Sequence, residues 1–113
     1  MIKIWHNNRC SKSRQTLAIL KDKTKEVEVV EYLTETPSEK EIREVLEKLS
    51  VSAESIIRKG EKEYKEHFKG KEMSEDMWIH AMLEYPKLIE RPIVIKGDKA
   101  VIGRPPEKVL ELL

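Results

Sequence analysis

Apolar side chains fall in short bursts along this chain, and the spacing within each burst predicts its local structure. Ile2, Ile4 and Trp5 lie in a brief apolar run over residues 2–6 that predicts a buried strand, and polar Asn7, Asn8 and Arg9 predict a loop after it. From Ser11 onward, Leu17, Ala18, Ile19 and Leu20 predict a helix to about Lys23. Val27, Val29, Val30 and Tyr32 alternate roughly with acids and are mostly β-branched, which predicts a second strand. Ser38 with Glu41 three residues on reads as a capping box. It opens a helix whose Ile42, Val45, Leu46 and Leu49 form one stripe.

The middle of the chain reads as helical. Residues 52–55 open a short turn leading to Ile56, Ile57, Arg58, Lys59 and Gly60, and Tyr64 and Phe68 stand four apart on one helical face. Ser74 caps a helix bearing Met77, Trp78, Ala81, Met82 and Leu83, closed by Pro86, and these large side chains are expected in the core. The end changes period again. Ile93, Val94 and Ile95 on one side and Ala100, Val101 and Ile102 on the other flank Gly97-Asp98, a two-residue hairpin loop with positive φ expected at Gly97. Arg104-Pro105-Pro106 is expected to be extended, with Pro106 in the first turn of a last helix over residues 107–113 that shows Val109, Leu110 and Leu113 as its stripe. A strand–helix–strand start predicts a parallel pair, and the hairpin adds an antiparallel one. The expected fold is α/β and thioredoxin-like: one domain over residues 1–113, with a four-stranded mixed sheet and a helical insertion at about 38–90.

Composition then narrows the function classes. A chain of 113 residues suits one domain, and its single cysteine excludes a scaffold stapled by internal disulfides. No apolar run approaches the roughly 20 residues of a membrane-spanning helix, and the N-terminus has no signal-peptide core. A soluble cytoplasmic protein is expected. A net charge of +1 gives no bulk attraction to nucleic acid or membrane. The charge is nevertheless uneven: residues 1–25 carry seven basic and one acidic side chain, whereas residues 26–54 carry three and nine. Chance and solvated helix faces account for that pattern as well as function does. Its consequence is that Cys10 lies in the basic segment.

Cys10 also sits at a predicted strand-to-helix junction. Unpaired N–H groups and the helix dipole favour a thiolate there. Arg9, Lys12 and Arg14 would add positive field, and the Ser13 hydroxyl could reach back to the sulfur. A nucleophilic thiolate is one reading, and a small buried filler is the other. His6 could act as a general acid, orient a group near Cys10, or simply satisfy a hydrogen bond at the strand end. Two potential ligands, His6 and Cys10, do not make a metal site, and His67 and His80 add no partner pattern, so none is expected. Six arginines stand against sixteen lysines. Arg58, Arg91 and Arg104 lie beside apolar residues at element edges. Arginine can hold a tetrahedral oxyanion through two parallel hydrogen bonds, which lysine cannot; spacing alone leaves open whether the three converge.

The stretch His6-Asn7-Asn8-Arg9-Cys10-Ser11-Lys12-Ser13-Arg14 resembles the His-Asn-x-x-Cys-x-x-Ser-Arg signature of the glutaredoxin-dependent arsenate reductase family, the group that also contains the Spx-like proteins. Ile56-Ile57-Arg58-Lys59 is similar to its Leu-Leu-Arg-Lys segment, Arg91-Pro92-Ile93-Val94 to its Arg-Pro-Ile-Val strand, and Arg104-Pro105 to its Arg-Pro motif before the last helix. Glu90 stands where the best-known members have Asn, and the chain ends where those members continue, which suggests a shorter branch. The resemblance implies a thioredoxin-like fold, Pro92 as a cis-proline facing the active-site loop, and Cys10 as nucleophile with His6 near the sulfur. It further implies that Arg58, Arg91 and Arg104 bind the oxyanion and stabilise the thiolate. The implied reaction reduces arsenate to arsenite through a Cys10 adduct resolved by glutathione and glutaredoxin, with no bound cofactor, in a monomer. One cysteine supplies too few thiols for a two-electron reduction, so the others must come from outside. An Spx-like regulator that binds RNA polymerase and a glutathione-linked thiol transferase are the alternatives.

Overall fold

The computed structural model describes residues 1–24 and 26–113. Strand β1 (Ile2–Trp5), helix α1 (Ser11–Lys23) and strand β2 (Val27–Val30) come first. Three further α-helices follow, α2 (Glu39–Leu49), α3 (Lys62–His67) and α4 (Glu75–Glu84), with short 3-10 turns over Ala53–Ile56 and Pro86–Leu88, then the hairpin of β3 (Ile93–Lys96) and β4 (Lys99–Ile102) and a 3-10 helix over Pro106–Leu112. The chain forms two compact units, Met1–Glu35 with Arg91–Leu113, and Thr36–Glu90.

The first unit is built on a four-stranded sheet of order β2-β1-β3-β4. β1 pairs with β2 in parallel and with β3 antiparallel, and β3 with β4 antiparallel. This is the mixed thioredoxin-like sheet expected from the element order. β1 is central, and Ile2, Ile4 and Trp5 are all buried. Alternation sends Ile2 and Ile4 to one face, where they meet Leu20 of α1, Val94 of β3, and Val109 and Leu112 of the final 3-10 helix. The hairpin turns at Gly97-Asp98 with Gly97 at φ +60°, as its sequence predicts.

The second unit is helical. Ser38 Oγ accepts from the Glu41 N–H while the Glu41 carboxylate accepts from the Ser38 N–H, closing the expected capping box over α2. Ser74 caps α4 by accepting from the Met77 N–H, and both oxygens of Glu75 accept from the Ala53 N–H. Tyr64 and Phe68 stand against Trp78 with ring centroids 6.3 and 6.1 Å away.

Three expectations need correction. β2 stops at Val30, so Tyr32 is not a strand residue, although it is fully buried. Met77 is 48% exposed, because α4 turns Trp78, Ile79, Ala81 and Met82 inward instead. The last helix is 3-10 rather than α, with the i→i+3 bonds Lys108 N to Pro105 O and Leu113 N to Leu110 O. Its period of three buries Pro106, Val109 and Leu112 and leaves Leu110 and Leu113 outside. Pro105 is extended, at φ −67° and ψ 163°, as expected, and its peptide bond to Arg104 is cis, like Arg91–Pro92. Among the described residues no helix is long and apolar enough to cross a membrane.

This packing predicts an unequal pair of substitutions on β1. Ile4→Ala empties a fully buried position and is expected to cost about 2–5 kcal/mol in urea unfolding. Lys3→Ala removes only the half-exposed 3.4 Å ion pair with Glu28 and is expected to cost less than about 1 kcal/mol. Equal losses would contradict the assignment of Ile4 to the core.

Candidate active site

The sheet register collects one end of several elements. Trp5 pairs with Val30 on one side and Ile93 on the other, and Ile93 pairs with Ile102. The loop after β1, the chain after β2, the chain before β3 and the chain after β4 therefore leave the sheet at the same end. Cys10, Tyr32, Arg91 and Arg104 lie in those four segments.

The loop from β1 to α1 is tied by its own polar groups. His6 N–H donates to the Val30 carbonyl at 2.9 Å, which continues the parallel ladder. Asn7 then organises a turn, its side-chain oxygen accepting from the Arg9 N–H at 3.0 Å and its carbonyl from the Cys10 N–H at 3.0 Å. Cys10 takes the N-cap position of α1 in an extended conformation, and it is a free cysteine of intermediate burial. No N–H of the first turn closes a full capping bond to the sulfur, but the Ser13 and Lys12 N–H groups point their positive ends toward it.

Two guanidinium groups join them. Arg104 Nη2 lies 3.5 Å from Cys10 Sγ, and its Nε donates to the Arg91 carbonyl at 2.7 Å. Burial pushes the Cys10 thiol up; the Ser13 N–H, the Arg91 side chain and the Lys12 N–H outweigh it and hold the thiol below its ordinary value. Burial also makes Arg91 easier to deprotonate, and Cys10 and Tyr32 beside it more than reverse that, leaving Arg91 more basic than an ordinary arginine.

Several side chains do other work than their positions suggested. The Ser13 hydroxyl does not turn to the sulfur. It is completely buried, lies 2.6 Å from His6 Nδ1 and accepts from the Asn7 N–H at 3.1 Å. The Ser13 backbone, not its side chain, faces Cys10. His6 is buried and touches the loop through Ser13. Arg14 is exposed and donates to the Asn8 carbonyl at 2.9 Å, bracing the loop. The main side-chain charge on the sulfur comes from Arg91, eighty-one positions away, and not from the adjacent basic segment.

A close approach fixes the far side. A Cβ at Gly103 would lie 2.6 Å from Thr16 Oγ1 and 2.9 Å from Pro92 Cγ, so only glycine lets the Arg104 segment press against α1 and the Pro92 ring. The Gly103 N–H donates to the Pro92 carbonyl at 2.9 Å. Nothing in the sequence marks Thr16 or Tyr32 as lying near the site, because each reads as an ordinary helix or strand position.

Arg58 belongs to the second unit. Its backbone N–H donates to the Leu88 carbonyl at 2.7 Å, and Glu90 N–H donates to the Ile56 carbonyl at 2.8 Å. This short pairing sets Arg58 beside Glu90, whose carboxylate is 2.6 Å from Arg58 Nη1, and Glu61 lies 3.6 Å from Arg58 Nε. Among the described residues no group of three or more His, Cys, Asp or Glu side chains is placed to hold a metal ion.

The ArsC family model matches residues 5–112. The chain belongs to the ArsC family. An uncharacterized protein of Escherichia coli K12, YfgD, is 50% identical to it over 99% of this chain and 96% of that protein. An arsenate reductase of Haemophilus influenzae is 42% identical, with 97% of each chain covered. The solved structure of an arsenate reductase from Vibrio cholerae superposes on this ArsC-family chain with a TM-score of 0.94 at 43% identity, covering 99% of this chain and 97% of that one. The signature segments noted in the sequence lie within the matched residues.

The geometry makes a measurable statement about Cys10. Its iodoacetamide alkylation rate, followed against pH, is expected to give a midpoint below the ~8.5 of a free thiol. Arg91→Ala should move that midpoint up, because it removes the main charge favouring the thiolate. A wild-type midpoint at the free-thiol value would contradict the site.

Proposed function

We propose that this chain is a thiol-dependent arsenate reductase with Cys10 as its nucleophile. One observation carries the reading: a cysteine sulfur at a helix start, held below its ordinary pKa, with Arg91 and Arg104 beside it. A nucleophile flanked by guanidinium groups suits a tetrahedral oxyanion, whose oxygens need cationic donors as the sulfur closes on the central atom. The ArsC family, and the relatives named as arsenate reductases, support arsenate as that oxyanion.

In the proposed reaction the Cys10 thiolate attacks arsenic, a sulfur–arsenic bond forms, and one oxygen leaves as water. Glutathione adds its sulfur to the arsenic and displaces a second oxygen as water. A glutaredoxin thiolate then attacks the glutathione sulfur. The electron pair of that sulfur–arsenic bond stays on arsenic, which becomes As(III), and the two external thiols leave as a mixed disulfide. Water releases arsenite and returns Cys10. The glutathione and glutaredoxin steps follow from the family resemblance and from the single cysteine of the chain. In this reading Arg91 and Arg104 neutralise the arsenate oxygens, and His6 with Ser13 keeps the loop in place. The resemblance gives Arg58 a share of the oxyanion, which requires it to exchange Glu90 or Glu61 for substrate oxygens.

Arsenate reduction coupled to glutathione and glutaredoxin tests the proposal. Wild type is expected to turn over and Cys10→Ser to be inactive. Arg104→Ala should lower kcat/KM about 10–100-fold, the loss of a charge-assisted hydrogen bond, and Arg58→Ala should raise the KM for arsenate. A wild-type rate equal to the Cys10→Ser background would end the arsenate reading. Cys10-dependent removal of glutathione from proteins, without arsenate turnover, would replace it with thiol transfer.

A further inference from the structure

Gly103 is the one glycine of the four whose missing Cβ is a matter of space. Gly70 and Gly97 take positive φ, and a Cβ at either of them or at Gly60 would meet nothing within 4 Å. Gly103 does not take positive φ, yet a Cβ there would lie 2.6 Å from Thr16 Oγ1, 3.1 Å from Thr16 Cγ2 and 2.9 Å from Pro92 Cγ. The Thr16 side chain is a poor candidate for giving way. It is completely buried, and as a β-branched residue it is stiff at χ1. Its single hydroxyl proton goes to the Lys12 carbonyl at 2.9 Å, with the Gly103 carbonyl at 3.4 Å as the longer branch. Thr16 stands six residues beyond Cys10 in the helix that Cys10 caps, so a segment seated on Thr16 is fixed relative to the sulfur. The seated segment is short and closely tied. Gly103 N–H donates to the Pro92 carbonyl at 2.9 Å, and Arg104 N–H closes a three-residue turn onto the Ile102 carbonyl at 2.9 Å. From that turn the Arg104 side chain crosses to the site, with Nε on the Arg91 carbonyl at 2.7 Å and Nη2 3.5 Å from Cys10 Sγ. Moving the turn outward by the thickness of a methyl group would take Nη2 out of reach of the sulfur.

We propose that Thr16 and Gly103 are a positioning pair: their contact, with no Cβ between them, sets how deeply the Arg104 segment docks against α1 and so holds the Arg104 guanidinium beside the Cys10 sulfur. Both residues act through Arg104. The buried threonine is the fixed post, and the glycine is the seat that fits it. In a reductase of the kind proposed above, on which only the catalytic meaning of this inference rests, the same contact would place Arg104 for the oxyanion.

The test compares the rates at which Cys10 is alkylated by anionic iodoacetate and by neutral iodoacetamide at one pH. Both reagents react with the thiolate, so the ratio of the two rates cancels the thiolate fraction and reports positive charge beside the sulfur. Arg104→Ala is expected to lower the iodoacetate-to-iodoacetamide ratio about 3–10-fold. Gly103→Ala keeps the arginine and should still lower the ratio about 3-fold, because the guanidinium is displaced. Thr16→Ala only opens space and should lower it about 2-fold; this variant tests the pair even where Gly103→Ala does not fold. In Gly103→Ala/Thr16→Ala the new methyl group takes up space vacated on α1, so the ratio should rise above that of Gly103→Ala. In the Arg104→Ala background neither substitution should change the ratio further. A packing role alone would lower the melting temperature and leave the ratio at its wild-type value. Unchanged ratios in both single variants, shifts that persist undiminished without Arg104, or a double variant as low as Gly103→Ala would overturn the inference. Alkylation needs no arsenate, so a wild type that fails to reduce arsenate but shows these ratios would remove the proposed reaction and leave the positioning pair standing.

Discussion

An anionic sulfur in a half-buried position is costly, and the groups around Cys10 counter that cost. Desolvation is the largest single influence on this thiol and acts against the thiolate. It is overcome by backbone N–H groups at the start of α1 together with guanidinium charge carried in from the far end of the chain. Neither contribution exists without the sheet. β1 must end where α1 can begin, and β3 and β4 must be in register with it for Arg91 and Arg104 to arrive at the same end. The apolar faces of Ile2, Ile4, Val94, Val109 and Leu112 hold that register. A slip of one residue would exchange the two faces and carry the arginine segments away from the sulfur.

Much of this is legible in the sequence alone. Period-two and period-3.6 apolar patterns located the strands and helices, Ser38 with Glu41 announced its capping box, and Gly97-Asp98 announced its hairpin. These are local signals, and local physics decides them. Two kinds of information were out of reach. Convergence across the sheet was one: Arg91 and Arg104 stand 13 residues apart and more than 80 from Cys10, and no spacing rule joins them. The competition of hydrogen-bond partners was the other. Ser13 stands at the right spacing for its hydroxyl to reach the sulfur, but buried His6 and the Asn7 N–H claim that hydroxyl first. The tight 3-10 period of the last segment, which buries every third residue, was hidden for a similar reason: Val109, Leu110, Leu112 and Leu113 fit either helical period until packing chooses.

The chemistry that follows is constrained by what the chain lacks as much as by what it holds. A lone thiolate can bond to an electrophilic centre but cannot by itself deliver two electrons and return to its starting state. The loop before α1 and the first turn of the helix, with Asn8, Arg9, Ser11 and Lys12 all open to solvent, leave room for a second thiol to approach the adduct. A supported sulfur and an open approach are compatible because they involve different groups. Arg91, Arg104 and the Ser13 N–H face the sulfur, and the residues beside it in the chain are exposed.

The most direct measurement is a crystal structure of the protein grown with arsenate and without any reducing thiol. The account predicts arsenic bonded to Cys10 Sγ, with its oxygens on the guanidinium groups of Arg91 and Arg104. An unmodified Cys10, with arsenate absent from that end of the sheet or bound elsewhere, would contradict it.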